Sequence, residues 1–435
     1  MENRIRIGVF GAYRGMTMVN VLLKHPDAEL VAICDKQPEV LESQRQNAEG
    51  MNIAFYDNFD DFIQHDMDAV VLANYANEHA PFAIRALKRG LHVFSEVLPV
   101  QTMKEAVALI EAVEASGKVY AYGENYCYMA APYEMYELYK QGKIGEFEYG
   151  ECEYIHNCEP IWPSITYGQR DHWRNNMYAT FYCTHSLGPI LHMTGLRPVR
   201  VVGFEGTMRE RKLRCGSKSG SFGIEMVTLE NGGIVKSIHG DLYKDSVWYS
   251  VYGSKGRMEC GREDAQDGHI DKIYVNADPF SGDYGNGKLE SYKPEPKVEG
   301  MPEGFGHGGS DFYSMYYFIE KINGSADADI IDVYQAMDMF LPGMFAYRSI
   351  LAGGIPMDIP NLRNKEERER WRNDTTCTDP KVAGDMLLPT CSLGTPDIDE
   401  GIYDHVKALW AKECESKETS SYRARAFGQG ENKRA

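Results

Sequence analysis

The sequence predicts two domains, an α/β domain followed by an α+β domain with a large, mostly antiparallel open sheet. Three observations support this fold class: the length of 435 residues, an alternation of buried strands with amphipathic helices up to about residue 119, and later strands joined by tight turns. A chain of this length exceeds the size at which a single hydrophobic core stops growing. We therefore expect domains at residues 1–125 and 126–362, with an extension of unknown role at residues 363–435.

The first domain repeats short apolar strands and amphipathic helices. Strands are expected at residues 5–10, 30–34, 69–73, 92–94 and 119–122, and helices at residues 16–23 and 80–88. A further helix should run from Thr102 to Ser116, because Thr102 and Glu105 fit a capping box and Gly117 is a typical helix stop. Repeated βα units of this kind are typical of a Rossmann domain with a parallel sheet.

The second domain changes to the period of antiparallel strands. Strands are expected at residues 147–154, 199–204, 224–229, 234–238, 247–252 and 257–260, and helices at residues 187–193, 311–322, 333–351 and 402–415. Asn231-Gly232-Gly233 and Gly253-Ser254-Lys255-Gly256 are predicted as hairpin turns. The last residues, SSYRARAFGQGENKRA, are expected to be loosely ordered. An open antiparallel sheet needs a covering surface, so we expect a homo-oligomer, a dimer or tetramer.

Composition excludes several classes of partner. The formal net charge of −18 would repel a phosphate backbone, which argues against nucleic acid as a partner. The N-terminal residues lack the pattern of a signal peptide, and no apolar run is long enough to span a membrane. The ten cysteines form no C-x-x-C pairs, and no His, Cys or Glu spacing resembles a metal motif. We therefore expect a cytoplasmic protein without a metal site.

A glycine-containing loop points to a dinucleotide. Gly11-Ala12-Tyr13-Arg14-Gly15 lies between the first strand and the first helix, where a pyrophosphate needs a close approach of the backbone. The loop is shorter than G-x-G-x-x-G and lacks the middle glycine. Asp35 ends the second strand about twenty residues later, where a carboxylate can bind ribose hydroxyls and repel a 2′-phosphate. These residues predict NAD rather than NADP as the cofactor.

Two longer motifs carry a resemblance to a known family. They are the segment Asn74-Tyr75-Ala76-Asn77-Glu78-His79 and the string ALKRGLHVFSE at residues 86–96. With the glycine loop, they resemble the Gfo/Idh/MocA family of two-domain sugar oxidoreductases over roughly residues 4–360. The resemblance implies a Rossmann domain that binds NAD, and the residues it places at the cofactor are Asn74, His79, Glu96 and Asn125.

Two positions depart from the usual catalytic pattern of that family. Its dehydrogenases carry a lysine directly after the glutamate that matches Glu96, and here that position is Val97. They also carry an aspartate four residues before the histidine that matches His185, and here that position is Phe181. Valine and phenylalanine cannot exchange protons, so dehydrogenation by the usual triad does not fit this sequence.

The altered motifs resemble one branch of the family, the NAD-dependent glycosidases that include α-N-acetylgalactosaminidases. In that branch hydride leaves C3 of the sugar, a base removes the C2 proton, the C1 group is eliminated, water adds and the hydride returns. The resemblance implies that Tyr154 is the base at C2 and that Tyr182 and His185 surround the C3 hydroxyl. Tyr178 is an alternative to Tyr182. A tyrosine needs a neighbouring cation or donor to act as a base at neutral pH.

The remaining candidates are polar or aromatic residues that suit a sugar ring. Those predicted to bind the sugar or glycoside substrate are Glu124, His156, His172, Trp173, Arg174 and His307. Tyr154 lies in an alternating strand, where tyrosine is also common for packing alone. Two other functions remain open: a simple NAD-dependent dehydrogenase that forms a 3-keto sugar, and an NAD-binding regulator without catalysis.

Overall fold

The computed structural model describes residues 4–262, 271–277, 289–295, 298 and 307–415. Within residues 4–125, a six-stranded parallel sheet lies between helices. Its strands are β1 (Ile5–Phe10), β2 (Ala28–Cys34), β3 (Ala54–Tyr56), β4 (Ala69–Leu72), β5 (His92–Glu96) and β6 (Tyr120–Gly123). Its helices are α1 (Met16–Leu22), α2 (Pro38–Asn47), α3 (Phe59–Phe62), α4 (His79–Lys88) and α5 (Met103–Ser116). The strand order β3-β2-β1-β4-β5-β6 is that of a Rossmann domain.

Local sequence signals account for the ends of α5. Thr102 accepts a hydrogen bond from the backbone N–H of Glu105, and the Glu105 side chain accepts from the backbone of Thr102. Gly117 follows in the left-handed conformation with φ +61°. The predicted capping box and helix stop are therefore confirmed, and such a cap stabilises a helix by about 1 kcal/mol.

The second domain is built on a larger sheet. Its helices include α6 (Ala130–Lys140), α7 (Trp162–Thr166), α8 (Cys183–Thr194), α9 (Glu210–Arg214), α10 (Ser310–Ile322) and α11 (Val333–Leu351). Its strands are β7 (Phe147–Ile155), β8 (Pro198–Gly206), β9 (Phe222–Leu229), β10 (Ile234–Gly240), β11 (Ser246–Gly253), β12 (Gly256–Cys260), β13 (Ile273–Asn276), β14 (Glu290–Tyr292) and β15 (Met357–Asp358). Among the described residues, the order is β14-β13-β12-β11-β7-β10-β9-β8-β15. Only the β7–β10 pair is parallel there, so the predicted mostly antiparallel sheet is confirmed.

Helix α8 begins earlier than expected. The sequence predicted a helix from Leu187, but α8 starts at Cys183 and therefore includes His185 in its first turn. The polar residues of this turn have partners that keep them buried: Ser186 Oγ donates to the carbonyl of Cys183 at 2.9 Å, and Thr184 Oγ1 donates to a glutamate. Because these bonds satisfy the side chains, polar residues are compatible with a buried helix start.

The C-terminal extension packs on both domains. It contains α12 (Lys365–Trp371), α13 (Pro380–Ala383) and α14 (Glu400–Glu415). Arg368 of α12 forms a bidentate ion pair with Glu114 of α5, at 2.6 and 2.8 Å. Val406 of α14 is buried against Trp162 of α7. The expectation for residues 420–435 lies outside the described residues.

Three further expectations concern features of the whole chain. No helix in the described part of the chain is both long and apolar enough to cross a membrane. The same residues hold no group of three or more His, Cys, Asp or Glu side chains arranged for a metal ion. None of the ten cysteines forms a disulfide bond.

Candidate active site

Glycine holds the loop after β1 against the end of β4. Gly11 has φ +92°, and a Cβ atom there would lie 2.3 Å from the backbone carbon of Ala73. A Cβ on Gly15 would lie 2.6 Å from the carbonyl oxygen of Gly11. Because no larger residue fits at either position, the loop stays close to the carboxyl end of the sheet, where Rossmann domains bind dinucleotides.

Asp35 holds the other side of this loop. Its Oδ2 accepts from the backbone N–H of Ala12 at 2.7 Å, and its Oδ1 accepts from that of Gln37 at 2.8 Å. Burial raises the pKa of Asp35, and the amide donors oppose that rise. The carboxylate lines a cavity of about 460 Å³. The loop residues that share the wall of this cofactor cavity are Gly11, Tyr13 and Arg14.

The cofactor cavity contains polar atoms that lack a protein partner. Asn74 Oδ1 and His172 Nε2 are buried, and neither has a hydrogen-bond partner among the described residues. Buried polar atoms are normally satisfied, so these two fit a ligand that supplies the missing bonds. Together with Asp35 and the glycine loop, they fit NAD.

His172, which the sequence predicted as a substrate ligand, lines the cofactor cavity and not the second cavity described below. It lines the cofactor cavity and packs edge-on against Tyr75, with ring centroids 4.6 Å apart. Burial lowers the pKa of His172 to about 2, so the ring is a neutral hydrogen-bonding group. Tyr75 itself was not predicted, although it lies within the motif that the sequence singled out.

Arg14 lies where the cofactor cavity meets a second cavity. Its Nη2 contacts Glu96 Oε1 at 2.7 Å and Asp311 Oδ1 at 3.0 Å. Asp311 also accepts from Asn125 Nδ2 at 3.1 Å and lies 2.8 Å from His307 Nδ1. Burial alone would raise the pKa of Asp311, but Arg14 and His307 hold it well below the ordinary range. Asp311 was not predicted as a site residue, although it lies four residues after the predicted His307.

The second cavity brings the three predicted catalytic side chains together. It has a volume of about 430 Å³ and is lined by Tyr154, Tyr182 and His185. The ring centroid of His185 lies 4.7 Å from that of Tyr154 and 5.7 Å from that of Tyr182. Arg14, Asn74 and Arg174 line this substrate cavity as well as the cofactor cavity, so the two are continuous.

Glu124 forms a buried contact with His185. It is fully buried, and its Oε1 lies 2.8 Å from His185 Nδ1. Its Oε2 accepts from Thr184 Oγ1 at 2.8 Å. The sequence predicted that Glu124 contacts the substrate, but it lines neither cavity. The geometry instead makes it the group that orients the imidazole, as carboxylates do in other acid–base sites.

The two phenols have different surroundings. Burial raises the pKa of Tyr154 well above its usual value, and the neighbouring Tyr126 raises it further. Burial also raises the pKa of Tyr182, but Arg174 opposes this rise by donating a hydrogen bond from Nη1 at 2.9 Å. Tyr182 therefore contacts a cation directly, the guanidinium of Arg174. Tyr154 packs next to the imidazole of His185.

The positions that lack the family's ionisable residues are apolar in the structure as well. Val97 lines the substrate cavity directly after Glu96. Phe181 is buried against Trp173 and Phe340, with ring centroids 6.1 and 5.8 Å apart. Neither side chain can carry a proton.

The other predicted residues divide between the cavities and their supports. His156 lines the substrate cavity, and its hydrogen bond with the Cys158 thiol raises its pKa to about 8. Arg174 stacks over Trp173 at 4.4 Å, and both line the two cavities. His79 lines neither cavity: it is buried, with Nδ1 2.8 Å from the carbonyl oxygen of Leu98. This contact places it as a support for the segment after β5.

The comparisons with known proteins agree with this architecture. Residues 5–124 match the family model described as "Oxidoreductase family, NAD-binding Rossmann fold". The N-terminal domain is therefore an NAD-binding Rossmann domain, and it is similar to that of the Gfo/Idh/MocA oxidoreductases.

The curated relatives extend the similarity to most of the chain. A glycosyl hydrolase family 109 protein of Saccharopolyspora erythraea is 24% identical over 398 residues, which cover 85% of this chain and 84% of the relative. A protein of the same name from Porphyromonas gingivalis is 25% identical, covering 82% and 84%. The resemblance to this glycosidase branch thus runs through both domains.

Solved structures show the same fold. Myo-inositol 2-dehydrogenase from Lactobacillus plantarum superposes with a TM-score of 0.64 at 18% identity, covering 82% of this chain and all of that chain. An oxidoreductase from Agrobacterium radiobacter, solved with NAD⁺, L-tartaric acid and magnesium, gives 0.65 at 14% identity, covering 82% and 98%. The two-domain architecture predicted from the sequence is confirmed.

Proposed function

We propose that this protein is an NAD-dependent enzyme that cleaves a glycoside through transient oxidation at C3 of the sugar. The observation that carries the proposal is His185, which is paired with the buried Glu124 and lies beside Tyr154 and Tyr182 in a cavity continuous with the cofactor cavity. The apolar Val97 lines the same cavity, at the position where ordinary dehydrogenases of the family carry the lysine that accepts the proton. The curated relatives named as glycosyl hydrolases support the same assignment.

Each cavity residue has a task in this reaction. The glycine loop, Asp35 and Asn74 would hold NAD, and its nicotinamide would supply a reversible hydride acceptor for C3. His185 takes the proton of the C3 hydroxyl, and Glu124 stabilises the resulting imidazolium. Tyr182, held by Arg174, donates a hydrogen bond to the C3 oxygen.

Tyr154 removes the C2 proton once the neighbouring carbon is a ketone. Its raised pKa means that it starts protonated, so it must first give its own proton to a neighbour. His185 is placed to accept that proton once its imidazolium has passed the C3 proton to solvent, since the ring centroids of His185 and Tyr154 lie 4.7 Å apart. The loss of the C2 proton then expels the group at C1.

The balance of NADH against released aglycone tests this proposal. Glycoside cleavage by this route consumes no NAD⁺, so many turnovers should occur without accumulation of NADH. Formation of NADH in equal amount to a 3-keto sugar would show a simple dehydrogenase instead. Binding of NAD without either product would favour the non-catalytic regulator.

A further inference from the structure

A second glutamate–histidine pair lies in the floor of the substrate cavity. His239 of β10 lines the cavity, and its Nδ1 lies 3.5 Å from Oε1 of Glu225 on β9. Their exposed fractions are 1% and 0%. Among the described residues, neither ring nitrogen of His239 and neither carboxylate oxygen of Glu225 has a hydrogen-bond partner. Burying polar groups without partners is costly, so the ring nitrogens of His239, which lines the cavity, point to a ligand that completes their bonds.

His239 is a direct neighbour of Tyr154. In the parallel pairing of β7 with β10, His239 is the register partner of Tyr154. Paired residues on adjacent strands point to the same face and lie about 4.8 Å apart along the hydrogen-bonding direction. An imidazole therefore stands beside the phenol that is expected to act at C2.

The cavity wall next to His239 is polar, and we call this part of the wall the polar chamber. Asp241 follows two residues later in the chain, and its Oδ2 lies 3.0 Å from Nζ of the buried Lys212. Ser219 and Ser221 also line the cavity, and the backbone N–H of Asp241 donates to the carbonyl oxygen of Ser221 at 2.8 Å. A fixed ammonium, a carboxylate and two hydroxyl groups offer the donors and acceptors that a hydroxyl-rich group requires. His239 thus lies between the C2 base and a chamber suited to such a group.

We propose that His239, oriented by Glu225, is the general acid that protonates the departing glycosidic oxygen, and that the polar chamber holds the leaving group. This inference rests on the proposed glycoside cleavage. The Glu225 carboxylate attracts a positively charged imidazolium, so the ring is placed to hold the proton that elimination requires.

The step balances with the groups present. Tyr154 takes the C2 proton, the C2–H electron pair becomes the C1–C2 double bond, and the C1–O bond breaks. The departing oxygen keeps the bonding pair and receives the proton of His239, which leaves as part of an alcohol. In the return step, water adds to C1 through its oxygen while Tyr154 gives its proton back to C2. The water gives its other proton to the neutral imidazole of His239, so both side chains return to their starting states.

A series of leaving groups tests the assignment. A nitrophenolate leaves without protonation, whereas a methoxide does not. In the His239→Gln variant, kcat/KM for a methyl N-acetylgalactosaminide should fall by about 100-fold or more, the usual scale of general acid catalysis. On the matched 4-nitrophenyl glycoside the variant should retain most of its activity. Glu225→Gln should show the same selective loss, and His405→Gln, a substitution of an exposed histidine on α14, should leave both rates unchanged.

Exchange of the C2 hydrogen with deuterium separates this role from general damage. The variant should still catalyse that exchange on the 4-nitrophenyl glycoside, because hydride transfer and C2 proton removal do not use His239. An equal loss of kcat/KM on the two glycosides, or no loss on either, would refute the acid role of His239 and leave the proposed glycoside cleavage standing. A broad panel of sugars should be tested as methyl and as 4-nitrophenyl glycosides. If the wild-type protein cleaves none of them, the proposed function is wrong, and the acid role of His239 is wrong with it.

Discussion

Glu124 determines what His185 can do. An imidazole paired with a fully buried carboxylate has one nitrogen fixed as the donor, and the other faces the cavity as an acceptor. This arrangement gives the site a proton acceptor without the lysine that Val97 replaces. Much of the proposed proton transfer therefore depends on the buried contact of 2.8 Å between His185 Nδ1 and Glu124 Oε1.

The first prediction concerns this contact. Glu124→Gln keeps the size of the side chain but removes the charge that stabilises the imidazolium, so kcat should fall by about 100-fold. NAD binding should change little, because Glu124 does not line the cofactor cavity. Steady-state kinetics and a fluorescence titration of NADH measure the two effects. Glu148→Gln, an exposed carboxylate on β7, is the matched control, and an equal loss in that variant would refute the assignment.

A second prediction concerns the choice of cofactor. Asp35→Asn removes the charge that disfavours a 2′-phosphate while keeping an acceptor for the amide of Ala12. The ratio of NADPH affinity to NADH affinity should rise by about tenfold, equal to about 1.4 kcal/mol. Fluorescence titrations with both nucleotides measure this ratio, and the exposed Glu39→Gln on α2 serves as the control. An unchanged ratio would mean that Asp35 does not face the ribose.

Some candidate site residues could be predicted because they lie in local motifs, and others could not because their contacts depend on the fold. Asp35 was predictable because the end of β2 and the glycine loop are local features. Tyr182 and His185 lie in one motif that a family resemblance exposes. The pairs Glu225–His239 and Lys212–Asp241 depend on the register of distant strands and on packing between elements. No spacing along the chain indicates such pairs.

At the level of elements, helix α14 extends the first domain's cofactor cavity. Ser164 donates to Glu413 of α14 at 2.7 Å, and Glu413 lines the cofactor cavity. Trp410 packs edge-on against Tyr167 at 5.7 Å, and Tyr167 in turn packs against Tyr13 at 5.5 Å. We propose that α14 helps to retain the cofactor, a role that composition alone did not suggest for residues 363–435.

A third prediction tests this role for α14. Trp410→Ala removes the contact with Tyr167 and loosens the wall of the cofactor cavity, so the dissociation rate of NADH should rise several-fold. Stopped-flow fluorescence with displacement by excess NAD⁺ measures that rate. Leu409→Ala changes a neighbouring exposed side chain and should have no effect. If both variants release NADH at the wild-type rate, α14 does not hold the cofactor.

At the level of the whole molecule, the large sheet has two unlike faces. One face carries Tyr154 and His239 toward the substrate cavity. The opposite face carries apolar residues that remain exposed, among them Phe204 at 53% and Ile234 at 42%. Exposed apolar side chains on an open sheet favour burial against another copy of the chain.

A fourth prediction follows for the assembly. We propose that this outer face forms a homo-oligomer, so light scattering should give two or four times the chain mass of 49.2 kDa. Phe204→Glu places a charge in the interface and should lower the measured mass toward that of one chain. Glu148→Gln, whose side chain is also exposed, should leave the mass unchanged. A wild-type mass of one chain would contradict the assembly.

The central claim is that a hydride is transferred reversibly between C3 of the sugar and the cofactor, and that Tyr154 exchanges the C2 proton with solvent. The most direct measurement is cleavage of a glycoside in D₂O, followed by mass and NMR analysis of the released sugar. We predict one deuterium at C2, retained hydrogen at C3, and no accumulation of NADH. A released sugar with its original hydrogen at C2 would contradict the claim, because cleavage would then have occurred without the ketone that makes that proton acidic.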